Sequence, residues 1–279
     1  SSEAYTNQGD DLITASGDSN ASTLAGGKGS DSITIAGSVT SGQILGNSGA
    51  DSINIAGTVS SALVHGGADN DSMTIGAVVG GTTGGGLGAD TLVVNGKVTG
   101  AQVLMSSKSD PNSASDGADS LSVAGSMSNS TVYSGAGADN ITGDAGASLL
   151  SGGAGDDVIA GGAGAETITG GTGRDDLTGN AGADVFVFAD GDSALSQAGA
   201  DVITDFATGV DQLEFGGPAG DDSGTATDNF VDGGTDTDFA TALVNANAAF
   251  DGSVLYYTSD DGAGTPTAFV FADIDGDGT

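Results

Sequence analysis

The sequence contains no cysteine and no tryptophan, and its 279 residues include only four Lys or Arg and only three Pro. Without cysteine, the chain can form neither disulfides nor thiolate metal sites. The basic residues are outnumbered by 38 acidic ones, and the net charge of −34 argues against nucleic acid and anionic membrane surfaces as partners. No apolar run reaches the length of a membrane span, so we expect no membrane insertion.

No N-terminal signal peptide is visible, and the chain begins Ser-Ser-Glu without Met, so we expect a fragment or a processed product. Aromatic residues make up only 5% of the chain and glycine accounts for 52 residues, a composition typical of disordered proteins. A strict repeat with regularly spaced Ile, Val and Leu residues contradicts that interpretation. Both observations fit a fold that is complete only when cations bind.

The repeat is nine residues long and is clearest between Gly152 and Thr178, where it occurs three times. Its pattern is Gly-Gly-x-Gly-x-(Asp/Glu)-x-apolar-x, and we call the acidic position the slot. A fourth copy runs from Gly179 to Val187, and degraded copies precede the clear ones. Slots spaced nine residues apart therefore fall at Asp139, Ser148, Asp157, Glu166, Asp175 and Asp184. This nonapeptide is the repeat of calcium-binding parallel β-helices.

Upstream of residue 134 the period lengthens to about twenty residues. Each unit there comprises a glycine-rich acidic turn, a short strand, a neutral Ser/Thr turn and a second short strand. The slots of these units are Asp11, Asp31, Asp51, Asp71, Asp90 and Asp119. The longer interval between the last two indicates a polar insertion at about residues 106–115. We interpret the insertion as a surface loop, with a partner-contacting loop as the alternative.

Strands this short cannot bury an apolar face alone, so successive coils must stack, with parallel strands about 4.8 Å apart. Stacking predicts an inward apolar ladder of Ile33, Ile53, Met73, Leu92, Leu121, Ile141 and Ile159. It also predicts an acidic ladder along one edge, the first ladder, made of Asp11, Asp31, Asp51, Asp71, Asp90, Asp119, Asp139, Asp157 and Asp175. A short second ladder on the opposite edge contains Glu166 and Asp184. The predicted fold is therefore all-β, a parallel β-solenoid over residues 1–188.

Residues 189–279 read as a separate, mostly-β cap, because the Gly-Gly repeats stop and most aromatic residues occur there. We predict a strand, turn and strand over residues 201–215 and a strand pair at 254–258 and 267–272. One helix is expected at 239–249, with Asp238 as its N-cap. Such a cap would close a solenoid end that otherwise exposes strand edges.

Stacked slots place like charges about 5 Å apart, where each pair repels by about 1 kcal/mol in water and about 4 kcal/mol at an effective dielectric constant of 20. Glycine-rich turns add about 0.5–1 kcal/mol of entropy cost per residue. We therefore expect the metal-free chain to be unfolded and multiple Ca²⁺ ions to reverse this, because oxygen-only ligands in flexible turns favour Ca²⁺. The alternative is a solenoid whose turn aspartates are solvated and bind nothing.

The run from Gly152 to Thr178 resembles the repeats-in-toxin (RTX) proteins of Gram-negative bacteria, and Asp201 to Phe215 is similar to the segment after the β-roll of serralysin-type proteases. The resemblance implies a right-handed β-roll, export by a type I secretion machinery through an uncleaved C-terminal signal, and ions shared by slot carboxylates and turn carbonyls of neighbouring coils. The sequence departs from the family pattern at Ser148 and Asp69 and in its neutral half-turns, so we expect metal along one edge. Whether Asp205, Asp211 or the EF-hand-like turn Asp273–Asp275–Asp277 also binds Ca²⁺ stays open.

The sequence contains no convincing catalytic constellation, and we expect no enzymatic activity: His65 is the only histidine, and no zinc or nucleophile-elbow motif occurs. One interpretation is a secreted structural protein at the cell surface, an S-layer or filament component that self-assembles with Ca²⁺, with cell-surface polysaccharide as a candidate partner. The alternative is the calcium-folding and secretion module of an RTX exoenzyme, toxin or adhesin. The one-sided acidic ladder favours the first.

Overall fold

A computed structural model describes residues 3–106, 116–143, 146–189, 192, 200–207, 210–215, 230–235, 256–260 and 268–272. Every regular element in these residues is a β-strand, and the strands of the repeat region stack in parallel. The predicted all-β, parallel β-solenoid is therefore confirmed. Each coil contributes one strand to each of two long sheets, because the chain reverses direction at every glycine-rich turn.

The first sheet has eleven strands, and each pairs in parallel with the next. In order they are β1 (Glu3–Tyr5), β4 (Thr23–Lys28), β7 (Gln43–Ser48), β9 (Leu63–Ala68), β11 (Thr82–Leu87), β14 (Gln102–Leu104), β17 (Thr131–Ala136), β19 (Leu149–Ala154), β21 (Thr167–Thr172), β23 (Val185–Phe188) and β25 (Gln212–Phe215).

The second sheet has 14 strands, ten of them in one parallel stack. The stack is β2 (Leu12–Ala15), β5 (Ser32–Ile35), β8 (Ser52–Ser60), β10 (Ser72–Val79), β12 (Thr91–Val94), β15 (Ser120–Val123), β18 (Asn140–Thr142), β20 (Val158–Gly162), β22 (Asp176–Asn180) and β24 (Val202–Ile203). Four two-residue strands lie at the neutral turns of the longer coils: β3 (Ser19–Asn20), β6 (Val39–Thr40), β13 (Val98–Thr99) and β16 (Met127–Ser128).

The pairing register confirms the predicted apolar ladder. Ile33 pairs with Ile53, which pairs with Met73, and the series continues through Leu92, Leu121, Ile141 and Ile159. All seven side chains are at most 1% exposed. Facing them from the first sheet is a second buried column, Leu24, Ile44, Val64, Thr83, Val103, Val132, Leu150, Ile168 and Phe186. The core is thus a narrow apolar stack along the solenoid axis.

The two long sheets continue beyond residue 188. The two strands predicted within residues 201–215 are present as β24 and β25, and they extend different sheets: β24 pairs with β22, and β25 pairs with β23. Division of the chain into domains 1–188 and 189–279 stays a prediction.

Farther on, β26 (Phe230–Thr235), β27 (Tyr256–Asp260) and β28 (Ala268–Ala272) form a third sheet in which the last two strands are antiparallel. Most of the predicted insertion and the predicted helix at 239–249 lie outside the described residues.

Candidate metal centre

The slot residues of the first ladder lie at the acidic turns that join the first sheet to the second. Each slot residue of the first ladder comes directly before a strand of the second sheet, as Asp31 does before β5 and Asp157 before β20. The strands on both sides fix the turn, so stacking of the sheets also stacks the slots. All predicted members of the first ladder occupy equivalent positions in consecutive coils.

In the first ladder from Asp31 onward, one carboxylate oxygen of the slot residue accepts a main-chain hydrogen bond from the preceding coil. Asp31 Oδ1 accepts the N–H of Asp11 at 2.8 Å, and Asp51 Oδ1 accepts the N–H of Asp31 at 2.7 Å. The same bond recurs at 2.7–2.8 Å up to Asp175, whose own N–H donates to Asp201 Oδ1 at 2.9 Å. The first ladder is therefore a continuous chain of carboxylate-to-amide hydrogen bonds, and Asp201 extends it.

The second carboxylate oxygen has no such role. Oδ2 is buried without a hydrogen-bond partner in Asp31, Asp51, Asp71, Asp90, Asp119, Asp139, Asp157 and Asp175. These eight side chains are at most 3% exposed. A buried carboxylate oxygen without a partner costs several kcal/mol unless a cation or a proton neutralises it. The repetition of this arrangement coil after coil points to a bound ion.

In six of the nine acidic turns of the first ladder, the first residue is a glycine that makes room for that oxygen. A Cβ on Gly46, Gly152 or Gly170 would overlap Oδ2 of the slot residue five positions later in the same turn. The second glycine serves the backbone, since Gly153 and Gly171 have positive φ angles of 122° and 106°. Where this residue is not glycine, Asn47 and Asn180 adopt φ of 83° and 69°, which Asn tolerates better than most residues.

Burial raises the pKa of the slot carboxylates well above the ordinary Asp value of 3.8. The pKa rises to about 6 in Asp51, Asp90 and Asp175, to about 8 in Asp71 and Asp157, and to about 9 in Asp119. The N–H bond from the preceding turn opposes each rise, while neighbouring carboxylates add to the rise in all of these residues except Asp90. Without metal ions, these slot carboxylates therefore stay protonated to a higher pH than an ordinary Asp.

The second ladder lies on the opposite edge and is incomplete. Asp184 Oδ1 accepts the N–H of Glu166 at 2.8 Å, in the manner of the first ladder. The longer Glu166 side chain instead turns back, and its Oε2 accepts the N–H of Gly162 at 3.2 Å. Oε1 of Glu166, Oδ2 of Asp184 and Oγ of Ser148 are buried without partners. The second edge thus offers the same kind of site in only the last coils.

Asp205 and Asp211 differ from the slot residues because main-chain N–H groups occupy both of their oxygens. Asp205 accepts from Gly179 at 2.9 Å and from Asn180 at 2.6 Å. Asp211 accepts from Asp184 at 3.0 Å and from Ala207 at 2.8 Å. Both residues terminate the stack. The sequence could not identify Asp201, because its 26-residue separation from Asp175 breaks the period, and the turn at Asp273–Asp277 lies outside the described residues.

The chemistry of these turns fits a hard cation. In the described part of the chain no three Asp, Glu or His side chains converge, so any ion needs main-chain carbonyls beside the slot carboxylates. Gly170 O lies at the space beside Asp157 Oδ2, where a Cβ on Gly152 would approach it to 2.6 Å. Carboxylate and carbonyl oxygens in flexible turns are the ligand set that Ca²⁺ prefers.

The comparisons with known proteins agree with this chemistry. Residues 133–165 and 161–195 match the family model of the RTX calcium-binding nonapeptide repeat (4 copies). We call this matched segment, residues 133–195, the RTX region. The matched RTX repeat is a calcium-binding structural motif rather than a catalytic one. No curated protein and no solved structure matches the chain.

The RTX region contains the slots from Asp139 to Asp184. Upstream coils from Asp11 to Asp119 repeat its slot geometry with the same hydrogen bonds, although the family model does not reach them. The role of each slot residue as a Ca²⁺ ligand stays a prediction. Among the described residues we find no helix with the length and apolar character of a membrane span.

Proposed function

We propose that this chain is a non-enzymatic extracellular structural protein, an S-layer or surface-filament component, whose β-roll folds and assembles when it binds Ca²⁺ outside the cell. The observation that carries the proposal is the row of eight buried Oδ2 atoms without partners along one edge. The ligands are the predicted slot residues, together with turn carbonyls. Export through a type I secretion machinery is part of the proposal, in agreement with the RTX repeats of residues 133–195.

The energetics support a calcium-triggered fold. At a free Ca²⁺ concentration about tenfold above Kd, each site adds about 1.4 kcal/mol of stability. Eight such sites would contribute about 11 kcal/mol, which equals the whole stability of a typical domain. Extracellular calcium modules bind with Kd of about 10⁻⁴–10⁻³ M, so this stabilisation is available outside a cell and absent from a low-calcium cytoplasm.

The distribution of charge supports self-assembly. The strands of the first sheet from β4 to β23 contain no Asp or Glu, although the chain carries a net charge of −34. In the second sheet the only acidic strand residue is Asp176, which pairs with Arg174 at 2.8 Å. Copies that repel at their turns can therefore approach through their sheet faces. The outward Ser and Thr hydroxyls of the second sheet are also suitable donors and acceptors for a cell-surface polysaccharide.

A second candidate is the calcium-folding and secretion module of an RTX exoenzyme, toxin or adhesin. It is favoured by the RTX region alone, where slots occur on both edges, as at Asp157 and Glu166. The two candidates differ in what the parent gene encodes. A catalytic or toxin domain directly upstream would favour the module, whereas a gene limited to solenoid and cell-attachment segments would favour the structural protein.

The test of calcium-triggered folding is circular dichroism of the purified chain in EGTA and then in excess Ca²⁺. We expect a coil-like spectrum in EGTA and a β-spectrum in Ca²⁺, with Mg²⁺ as the control cation. Spectra that do not change would refute the folding switch. Electron microscopy of the same samples tests assembly: ordered arrays or filaments in Ca²⁺ support the scaffold, and monodisperse particles at high concentration contradict it.

A further inference from the structure

One acidic turn differs from all others, because the insertion interrupts it. The first sheet leads into this turn through Leu104, which pairs with Tyr133 in the next coil. Met105 then donates its N–H to Tyr133 O at 2.9 Å, which places Met105 at the first position of the turn, where the next coil has Ser134 and six other turns of the first ladder have glycine. After the insertion, the next described residue is Asp116, and Gly117 donates its N–H to Gly88 O at 3.2 Å. The insertion therefore separates the second position of the turn from its third.

The third position of this turn is Asp116. In the other acidic turns of the first ladder, this position holds Gln8, Lys28, Ser48, Ala68, Leu87, Ala136, Ala154 or Thr172. None of these residues is acidic. Asp116 thus brings a second carboxylate to a turn whose slot is already occupied by Asp119.

The Asp116 carboxylate points along the stack toward the next coil. Its Oδ2 accepts the N–H of Ala136 at 3.4 Å, while its Oδ1 is buried without a hydrogen-bond partner. The side chain lies within electrostatic reach of Asp139 and Asp90. Asp119 and Asp139 are 3% and 2% exposed, and the Oδ2 of each is also buried without a partner. Three partnerless carboxylate oxygens therefore belong to two adjacent turns.

We propose that Asp116 and Asp139 supply two carboxylates to one Ca²⁺ between the Asp119 and Asp139 turns, since Asp116 reaches toward Ala136 and Asp139 Oδ1 accepts the N–H of Asp119. This ion is bound more tightly than those at one-carboxylate turns. Calcium affinity rises with the number of charged ligands, so an added carboxylate raises it when the geometry is otherwise equal. The ion also offsets repulsion among side chains that stack about 5 Å apart. The inference rests on the proposed calcium binding, but it concerns a residue outside the slots.

The test is a calcium titration of the full chain by isothermal titration calorimetry, with wild type, Asp116→Asn and Asp10→Asn compared. Asn keeps the size of Asp and can still accept the Ala136 N–H, but it removes the charge. Asp10 is the matched control, since its Oδ1 also accepts an N–H from the next coil, that of Ser30 at 2.9 Å, while its side chain is exposed. We expect Asp116→Asn to weaken one ion by about tenfold or more. Asp10→Asn should leave the isotherm unchanged.

Two results would overturn the inference. If wild type binds Ca²⁺ and Asp116→Asn has the same isotherm, Asp116 is only a hydrogen-bond acceptor, and the proposed function still stands. If wild type binds no Ca²⁺, the proposed function fails and the inference fails with it. Circular dichroism in excess Ca²⁺ checks that the variant folds. Asp116→Ser, a second neutral variant with a side-chain acceptor, should show the same loss.

Discussion

Replacement of one slot carboxylate by its neutral isostere should have opposite effects with and without Ca²⁺. Asp157 is the suitable position, because it lies in the RTX region, is 1% exposed and has its Oδ2 buried without a partner. In Asp157→Asn, the side-chain oxygen can still accept the N–H of Asp139, which Asp157 Oδ1 accepts at 2.8 Å. The substitution therefore removes the charge and leaves the ladder hydrogen bond.

The magnitudes follow from the site. With Ca²⁺ at about tenfold over Kd, loss of one ion should destabilise the fold by about 1.4 kcal/mol, and by about twice that if two ions share the carboxylate. Without Ca²⁺, burial raises the pKa of Asp157 from 3.8 to about 8. At pH 7 this mismatch costs the metal-free fold about 4 kcal/mol at most. Asp157→Asn removes this cost, but a buried Asn amide without an acceptor destabilises the fold by about 1–3 kcal/mol. The net result is that the substitution stabilises the metal-free fold by about 1–3 kcal/mol.

The assay is urea unfolding in excess Ca²⁺ and osmolyte-induced refolding in EGTA, both at pH 7 and both followed by circular dichroism. Asp157→Asn should unfold at lower urea in Ca²⁺ and refold at lower osmolyte concentration in EGTA. The control is Asp156→Asn, since Asp156 is exposed and accepts the N–H of Arg174 at 3.0 Å. It should change the free energy of unfolding in either condition by no more than about 0.5 kcal/mol. A loss of stability in both conditions would refute the reasoning, because packing or hydrogen bonding would then explain the role of Asp157.

Three further predictions address the turns. In the metal-free fold the pKa values of the slot carboxylates are raised to between about 6 and 9, so their contribution to stability is fully present below about pH 4 and is lost as pH rises through those values. Circular dichroism in EGTA should therefore show β-structure on acidification from about pH 9 to about pH 4. A pH-independent spectrum contradicts this. Gly170→Ala should lower the free energy of unfolding, measured with urea in Ca²⁺, by about 1–3 kcal/mol, because its Cβ would overlap Asp175 Oδ2. Gly17→Ala should be nearly neutral, since no atom lies within 4 Å of the added Cβ. Ser148→Asp should add one bound ion by calorimetry, since Ser148 is 9% exposed with a partnerless Oγ at a slot of the second edge; unchanged stoichiometry counts against a site there.

The sequence predicted the fold where one residue type recurs at one position. Ile33 and Ile53 are both apolar, and each stands at the same distance in sequence from its slot residue. This constant distance predicts that the two residues pair in register, as they do. Strands as short as β3 and β6 were not predicted, because two residues such as Ser19 and Asn20 carry no detectable periodicity. Asp116 was missed for a different reason: the insertion removes it from the period, and only the fold returns it to the turn.

The sequence also could not predict that the two oxygens of a slot carboxylate differ: one accepts a main-chain hydrogen bond, and the other has no hydrogen-bond partner. This difference determines how coils depend on one another. In each hydrogen bond the carboxylate of one coil accepts the amide of the coil before it, as Asp175 does for Asp157 and Asp157 does for Asp139. The slot N–H of each coil is therefore bound by the slot carboxylate of the following coil, on its C-terminal side. The support begins at Asp201, Asp205 and Asp211, which accept main-chain N–H groups of the last repeat coils. An ion that ordered one slot carboxylate would also order the acceptor for the preceding coil, so the proposed metal binding and the stacking would reinforce each other toward the N-terminal end.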